Sequence, residues 1–234
     1  MTDNVAIITG ASRGLGRSLA RGLVDAGWRL VIDARGAPEL AAAAAELGAG
    51  PSADSGTAVR ALAGDITDPA HRAALVAAAD DWGGANLLVN NAGILGPSPQ
   101  PALADYPLDA LRQVYEVNVL AQLALTQAAL PALRARSGAV VMVTSDAAVE
   151  PYEGWGGYGS AKAALEQAGA ILAAEEPAVR VWRVDPGDLR TRMHQEAFPD
   201  EDISDRPLPD TVVPAFLTLL AAFPASGRIR LADL

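Results

Sequence analysis

The chain has 234 residues and no cysteine, which excludes disulfide bonds and thiolate metal sites. It has only two histidines, His71 and His194, too few for a histidine-rich metal site, and it contains no HExxH pattern. We therefore predict no metal.

The chain also lacks any apolar run near the roughly 20 residues that a membrane-spanning helix needs. Its N-terminus has no basic region followed by a long hydrophobic stretch, so we predict no signal peptide. The formal net charge is -10 and there is no basic cluster, which argues against binding of nucleic acid. These absences predict a cytoplasmic protein without nucleic-acid or membrane partners, and they leave its function open.

Short apolar runs alternate with longer helical patterns along the chain, and its length fits one α/β domain over residues 1–234. The runs that predict strands are 5–10, 29–34, 59–65, 86–93, 139–145 and 179–187, with a last short strand within 228–234. The patterns that predict helices are 14–26, 38–47, 69–81, 108–135, 158–174 and a segment within 207–222. The Gly/Ser-rich stretch 48–57 predicts a mobile surface loop.

Frequent alternation of strand and helix implies right-handed crossovers and a parallel sheet with both faces covered. The predicted strands are apolar throughout, as burial on both faces requires. The fold we predict is α/β: a doubly wound, mostly parallel Rossmann-like sheet flanked by helices on both faces.

The segment TGASRGLG, residues 9–16, connects the first predicted strand to the first predicted helix. Glycines at Gly10, Gly14 and Gly16 stand where a chain must turn sharply and where a pyrophosphate must approach the backbone. A glycine-rich turn alone is common in α/β proteins, but its position after a buried N-terminal strand is the context expected for dinucleotide binding.

The spacing Gly-x-x-x-Gly-x-Gly resembles that of the short-chain dehydrogenase/reductase family, in its single-domain short branch. Five further features follow in the family's order: NNAG at 90–93, Asn118, Ser145, YGSAK at 158–162 and PGDLRT at 186–191. The resemblance runs from Thr9 to Thr191. It implies an NAD(P)-dependent enzyme that interconverts a carbonyl and an alcohol by hydride transfer.

The second predicted strand ends in VIDARG, which bears on the choice of nicotinamide cofactor. The position where the family usually has a carboxylate for the ribose hydroxyls falls on Ala34, and Arg35 follows it. Arg13 supplies a second cation, and guanidinium groups suit a 2′-phosphate. Asp33 should point to the opposite face of the strand. We therefore predict NADP(H) rather than NAD(H), although both arginines could be solvated surface residues and Asp33 could still reach the ribose.

Tyr158 and Lys162 are four residues apart, hence on one face of a helix. A free tyrosine has a pKa of about 10, and a neighbouring ammonium favours the phenolate and lowers that pKa. The pair therefore predicts an acid/base whose proton affinity is tuned by a cation.

The resemblance assigns roles to four residues. Ser145 would hold the substrate oxygen, Tyr158 would exchange the proton, Lys162 would also bind the nicotinamide ribose, and Asn118 would position a water that links Lys162 to solvent. The alternatives are a helix-capping serine, a surface tyrosine and a buried amide bonded to backbone. The residues that the resemblance assigns to cofactor binding are Gly10, Ser12, Arg13, Gly14, Leu15, Gly16, Arg35, Asp65, Ile66, Asn91, Ala92, Gly93, Tyr158, Lys162, Pro186, Gly187 and Thr191.

Among these cofactor residues, Asp65 and Ile66 would flank the adenine ring. Pro186 and Gly187 would line the nicotinamide pocket, and Thr191 would bond the carboxamide.

Two variable segments, 146–157 and 190–209, are expected to set substrate choice, and residues 188–209 are predicted to form a lid. Four side chains could form an apolar wall there or simply pack: Tyr152, Trp155, Met193 and Phe198. We interpret His194 as a surface histidine.

The alternative function is a non-catalytic NADP(H)-binding redox sensor, which predicts a degraded set of catalytic residues. An epimerase or dehydratase of the family's extended branch would carry a substantial C-terminal substrate domain, which we do not find.

The ligand we predict is a small carbonyl or alcohol. The chain closes on LADL without the glycine-rich tail that family members often use in subunit contacts, so we predict a homodimer, with a homotetramer possible.

Overall fold

The structure is a computed structural model that describes residues 4–48 and 58–234. The strands in that part of the chain are β1 Val5–Ile8, β2 Arg29–Ala34, β3 Val59–Ala63, β4 Leu87–Asn90, β5 Ala139–Val143, β6 Arg180–Asp185 and β7 Gly227–Arg230. The α-helices are α1 Gly14–Asp25, α2 Ala37–Gly48, α3 Pro69–Asp80, α4 Leu108–Tyr115, α5 Ala121–Ala135, α6 Gly156–Glu175, α7 Arg192–Ala197 and α8 Val213–Ala222. Apart from Gly48, which ends α2, the predicted surface loop 48–57 lies outside the described residues.

The strands form one sheet in the order β3-β2-β1-β4-β5-β6-β7, and every neighbouring pair is parallel. Chain order reverses between β1 and β4, so the connections after these strands leave in opposite directions and open a crevice at their carboxyl ends. The predicted doubly wound, Rossmann-like fold is confirmed.

Two apolar layers cover the sheet because alternate residues of each strand point to opposite faces. On one face, Ile8 and Trp182 pack with α1 and α8, and on the other, Ile7 and Leu88 pack with α3, α5 and α6. Strands β1, β4 and β5 are buried along their whole length, which explains their continuous apolar runs. No helix of the described chain is both long and apolar enough to cross a membrane.

The helix predicted over 108–135 is not one regular α-helix. A π-helical turn, Glu116–Leu120, separates α4 from α5, and Asn118 lies buried within it. The side chain of Asn118 bonds both backbone polar groups of Ile94, so the π turn carries a contact to the segment after β4.

Smaller corrections concern the ends of elements. Five strands stop earlier than predicted, namely β1 at Ile8, β3 at Ala63, β4 at Asn90, β5 at Val143 and β6 at Asp185. The last strand stops at Arg230. The segment predicted within 207–222 begins as a 3-10 turn, Pro209–Val212, before α8. The short helix α7 lies inside the predicted lid and was missed.

Candidate active site

A cavity of about 1540 Å³ opens at the carboxyl ends of the central strands. One end is formed by the loop between β1 and α1, and the other by the segments that follow β5 and β6. The cavity brings together all of the predicted site residues except Gly16 and Asn118, which lie behind its wall.

The loop between β1 and α1 requires its glycines. Gly10 and Gly14 have φ values of 67° and 54°, in the left-handed region that favours glycine. A Cβ on Gly16 would lie 2.5 Å from Nδ2 of Asn91, so Gly16 lets the loop pack directly on the segment after β4. Thr9 Oγ1 fixes that segment, because it accepts hydrogen bonds from the backbone N–H groups of Asn91 and Ala92 at 3.0 and 2.9 Å.

The N-terminus of α1 faces the cavity without a side-chain cap hydrogen bond. Arg13 occupies the N-cap position and makes no side-chain cap bond, and the first turn has no acidic residue. Backbone N–H groups at a helix N-terminus and the positive end of its dipole favour an anion. Together with the glycine cradle, these donors fit the pyrophosphate of a dinucleotide.

Asp33 is buried beneath this loop. Its Oδ1 accepts a hydrogen bond from Gly10 N at 2.7 Å, and its Oδ2 lies 3.0 Å from His71 Nε2. Both carboxylate oxygens therefore have partners within the chain, and the Asp33 side chain supports the loop from below.

Arg13 and Arg35 are exposed and line the cavity at the same end. Among the described carboxylates, none lies within 4.0 Å of either guanidinium. Asp65 lines the cavity nearby, and its pKa is lowered because the Thr67 N–H donates to its carboxylate, with a smaller effect from the charge of Arg35. This end of the cavity thus presents two cations that are not used in ion pairs with described residues.

Tyr158 and Lys162 lie on successive turns of α6, and both are buried. Lys162 Nζ is 5.5 Å from the centroid of the Tyr158 ring and donates a hydrogen bond to Val143 O at 2.7 Å. Burial lowers the pKa of Lys162 to about 8. Lys162 is the only lysine in the sequence.

The expected lowering of the Tyr158 pKa by Lys162 was wrong for this structure. Burial raises the pKa of Tyr158, and the charges of Asp146 and Asp185 raise it further. The physical reason is that the ring lies in an apolar cluster with Leu95 and Ala147, while the Lys162 ammonium is directed to a backbone carbonyl. Tyr158 is therefore protonated at neutral pH.

Ser145 follows β5 and lines the cavity, but its hydroxyl has local partners. Its Oγ donates to Asp146 Oδ1 at 2.7 Å and accepts from Ala147 N at 3.1 Å, so it caps a 3-10 turn, Asp146–Ala148. The capping interpretation thus describes its contacts here, and its place on the cavity wall is compatible with the substrate role as well.

Asn118 lies away from the cavity, and its amide bonds Ile94 O and Ile94 N, each at 2.8 Å. The alternative of a buried amide bonded to backbone therefore describes its side chain. Thr191 lines the cavity, and its Oγ1 accepts from His194 N at 3.2 Å at the start of α7.

Gly187 has a φ of 75° and donates its N–H to Asp185 Oδ1 at 3.0 Å, which fixes the turn after β6. Pro186 precedes it on the cavity wall. The carboxylate of Asp185 thus shapes the segment predicted to line the nicotinamide pocket.

The four side chains predicted as an apolar wall all line the cavity. Trp155 is central, with ring centroids 5.7 Å from Tyr158, 5.9 Å from Phe198 and 6.4 Å from Tyr152. His194 was predicted to be a surface histidine, which was wrong: its side chain is 11% exposed, and its ring lies 5.0 Å from that of Phe198. The contact with Phe198 covers part of the His194 ring, and His194 lines the same cavity.

Arg228 in β7 was missed by the sequence analysis. Its Nε donates to Glu166 Oε1 at 2.9 Å, and its Nη2 donates to Asp185 Oδ2 at 3.0 Å and to Ser145 O at 3.2 Å. One guanidinium thus joins the helix that carries Tyr158, the end of β6 and the second residue after β5. The sequence feature that could have identified Arg228 is its position, as a charged residue inside a predicted strand.

Comparisons with known proteins agree with this geometry. A family model described as short chain dehydrogenase matches residues 4–202. Serine 3-dehydrogenase of Agrobacterium fabrum is 38% identical over 191 residues, which cover 79% of this chain and 72% of that protein. Sepiapterin reductase of Rattus norvegicus is 34% identical over 204 residues, covering 82% of this chain and 77% of the relative.

Solved structures are similar over nearly the whole chain. A short chain dehydrogenase from Escherichia coli CFT073 complexed with NADPH has a TM-score of 0.87 at 27% identity and covers 99% of this chain and 97% of its own. An alcohol dehydrogenase from the archaeon Thermococcus sibiricus complexed with 5-hydroxy-NADP has a TM-score of 0.85 at 27% identity, with 97% and 95% covered.

The chain belongs to the short-chain dehydrogenase family. It is an NAD(P)-dependent oxidoreductase that acts on CH–OH and C=O groups.

Proposed function

We propose that the protein interconverts a carbonyl and an alcohol with NADP(H), and that Tyr158 exchanges the proton. The observation that carries the proposal is one cavity with a dinucleotide-binding loop at one end and the buried Tyr158–Lys162 pair at the other. Hydride transfer to a carbonyl carbon leaves charge on oxygen, and a proton donor must lie beside that oxygen.

A bound nicotinamide dinucleotide would supply the hydride in reduction and accept it in oxidation. In reduction Tyr158 gives its phenolic proton to the substrate oxygen, while the Ser145 hydroxyl orients that oxygen. In oxidation the phenolate takes the proton back. The raised pKa of Tyr158 keeps the phenol protonated at neutral pH, which is the form that reduction needs.

Lys162 is proposed to bind the nicotinamide ribose and to supply positive charge near Tyr158. Its ammonium has three N–H groups, and only one bonds Val143 O, so two remain for these roles. We also propose that a water at Asn118 links Lys162 to solvent. The backbone of the π turn would bind this water, because the side-chain amide of Asn118 already bonds Ile94.

We propose NADP(H) over NAD(H) because Arg13 and Arg35 stand together at the end of the cavity where the adenosine would bind. Asp33, the carboxylate that could favour a free ribose hydroxyl, is already bonded to Gly10 and His71. NADP-type ligands in the similar solved structures support the same choice for this chain.

Several further expectations stay proposals. The chain forms one domain over residues 1–234, residues 188–209 form a lid over the substrate, and two copies form a homodimer in the cytoplasm. Multi-angle light scattering of the purified protein tests the dimer, since a monomer mass would contradict it.

A carbonyl and alcohol panel followed at the nicotinamide absorbance tests the proposed activity. The panel includes L-serine and sepiapterin, because two relatives are named for these compounds. Turnover with NADP(H) of at least one member is expected. Tight NADPH binding without any turnover would instead support the redox sensor.

A further inference from the structure

At the end of the cavity with the glycine loop, Arg13 and Arg35 stand among three carboxylates, Asp33, Glu39 and Asp65. Around the reacting centre the cavity wall is also acidic. The acidic residues on that part of the cavity wall are Asp146, Glu153, Asp185, Asp188 and Glu196. Asp185 is paired with Arg228, and Glu196 is paired with Arg192 at 2.8 Å.

Asp146 stands out among these carboxylates because it follows Ser145 directly and has only neutral partners. Its Oδ1 accepts hydrogen bonds from Ser145 Oγ at 2.7 Å and from Ala147 N at 2.8 Å. Its Oδ2 accepts from the Tyr152 hydroxyl at 2.9 Å. Over residues 4–48 and 58–234, no lysine, arginine or histidine nitrogen lies within 4.0 Å of this carboxylate.

Asp146 is nevertheless ionised. Burial acts to raise its pKa, but hydrogen bonds from Ser145, Tyr152 and Ala147 outweigh burial and lower the pKa below its usual value. A partly buried charge without a counter-charge is costly unless a cation approaches it. The open side of this carboxylate is the cavity, so the approaching cation would belong to a ligand.

The position of Asp146 limits where that cation lies on the ligand. The Ser145 hydroxyl is proposed to hold the substrate oxygen, and Asp146 Oδ1 is 2.7 Å from Ser145 Oγ. A substrate whose oxygen contacts Ser145 Oγ and whose cation contacts the Asp146 carboxylate must therefore carry the cation close to the reacting carbon.

We propose that Asp146 selects substrates with a protonated amine on the carbon next to the reacting one, namely vicinal amino alcohols and α-aminoketones. This inference rests on the proposed function. The proposal has a specific consequence for Ser145, whose hydroxyl now donates a hydrogen bond to Asp146. When a substrate ammonium donates to the carboxylate instead, the Ser145 hydroxyl can donate its hydrogen bond to the substrate oxygen. Amine recognition and orientation of the reacting oxygen are then coupled.

The test compares 2-amino-1-phenylethanol with 1-phenylethane-1,2-diol as substrates for oxidation with NADP⁺. The two compounds differ in one group, an ammonium against a hydroxyl beside the reacting carbinol. The wild-type kcat/KM is expected to favour the amine by about tenfold or more at pH 7, as a partly buried ion pair allows. Asp146→Asn should abolish that preference.

Glu150→Gln is the matched control, since it removes the same charge from an exposed residue that does not line the cavity. It should keep the amine preference. In the wild type, raising the pH until the amine loses its proton should also weaken the preference, and this measurement needs no variant. Equal kcat/KM values for the two compounds, or a preference that survives in Asp146→Asn, would overturn the inference.

Calorimetric binding of the same two compounds to the NADPH-loaded protein separates this inference from the proposed function. Tighter binding of the amine that Asp146→Asn removes, together with no turnover of any member of the carbonyl and alcohol panel, supports the inference and rejects the proposed activity. Turnover of the diol without a preference for the amine supports the proposed activity and overturns the inference. Binding of neither compound overturns the inference, and the NADPH affinity of each variant verifies that it is folded.

Discussion

Lys162 differs in its electrostatics from an ordinary surface lysine. Its ammonium is buried, which lowers its pKa to about 8. As the only lysine in the chain, it can be observed alone. Selective ¹³C labelling of lysine should give one side-chain NMR signal that titrates with a midpoint near 8. A midpoint near the ordinary lysine value of about 10.4 would contradict the burial.

The same shift predicts how stability depends on pH. Between pH 8 and 10 the unfolded chain keeps the proton on Lys162 while the folded protein loses it, so the unfolded state binds more protons and stability rises with pH. Lys162→Met should abolish this rise, as measured by urea unfolding at several pH values. An identical pH dependence in the variant would exclude Lys162 as its source.

Arg35 is the residue that we propose to favour NADPH over NADH. Arg35→Ala should weaken NADPH binding by roughly tenfold to a hundredfold, because a charge-assisted contact to the 2′-phosphate is worth about 1.5–3 kcal/mol. NADH affinity should change little and serves as the internal control. Fluorescence titration measures both affinities, and equal losses for the two cofactors would show that Arg35 does not determine the preference for NADPH.

The π turn between α4 and α5 is the element on which the position of Asn118 depends. Asn118→Ala leaves the partly buried N–H and C=O of Ile94 without their side-chain partner, which should cost about 1–3 kcal/mol of unfolding free energy. Urea denaturation measures the loss. Gln127→Ala, at an exposed position of α5, is the control and should stay close to wild type.

Element by element, the sequence is most informative where the chemistry is local. The spacing of Tyr158 and Lys162 alone places them on one helix face. The glycines after β1 predict the tight turn that the structure shows. The π turn was not predictable from the helical pattern, because Asn118 bonds Ile94, a residue 24 positions away. Burial of His194 likewise depends on how α7 packs, which its own sequence does not reveal.

At the scale of the whole molecule, the sheet order brings distant charges together. Arg228 lies 83 residues from Ser145 and 43 from Asp185, and they meet only because β5, β6 and β7 are neighbours. The raised pKa of Tyr158 is caused mainly by burial, and the charges of Asp146 and Asp185, which lie on other elements than α6, add to it. Local spacing could therefore suggest the Tyr158–Lys162 pair but not the direction of the Tyr158 shift.

Arg228→Ala tests this long-range network. It removes the shared cation from the buried carboxylates of Asp185 and Glu166, of which Glu166 keeps an ion pair with Arg183 at 3.5 Å. We expect a loss of about 1–3 kcal/mol, less than for a fully buried pair because Arg228 is partly exposed. Arg230→Ala, two residues on in the same strand and exposed, is the matched control. Thermal and urea unfolding should separate the two variants, and similar stabilities would show that the network contributes little.

The central claim is that Tyr158 exchanges the proton in NADP(H)-dependent turnover, and Tyr158→Phe tests it most directly. Once a substrate is found, this variant should bind NADPH as the wild type does while kcat falls by about 10²- to 10⁴-fold, since general acid catalysis is lost. Tyr115→Phe, which lies outside the cavity, should keep its activity. A Tyr158→Phe enzyme that turns over at the wild-type rate would contradict the account.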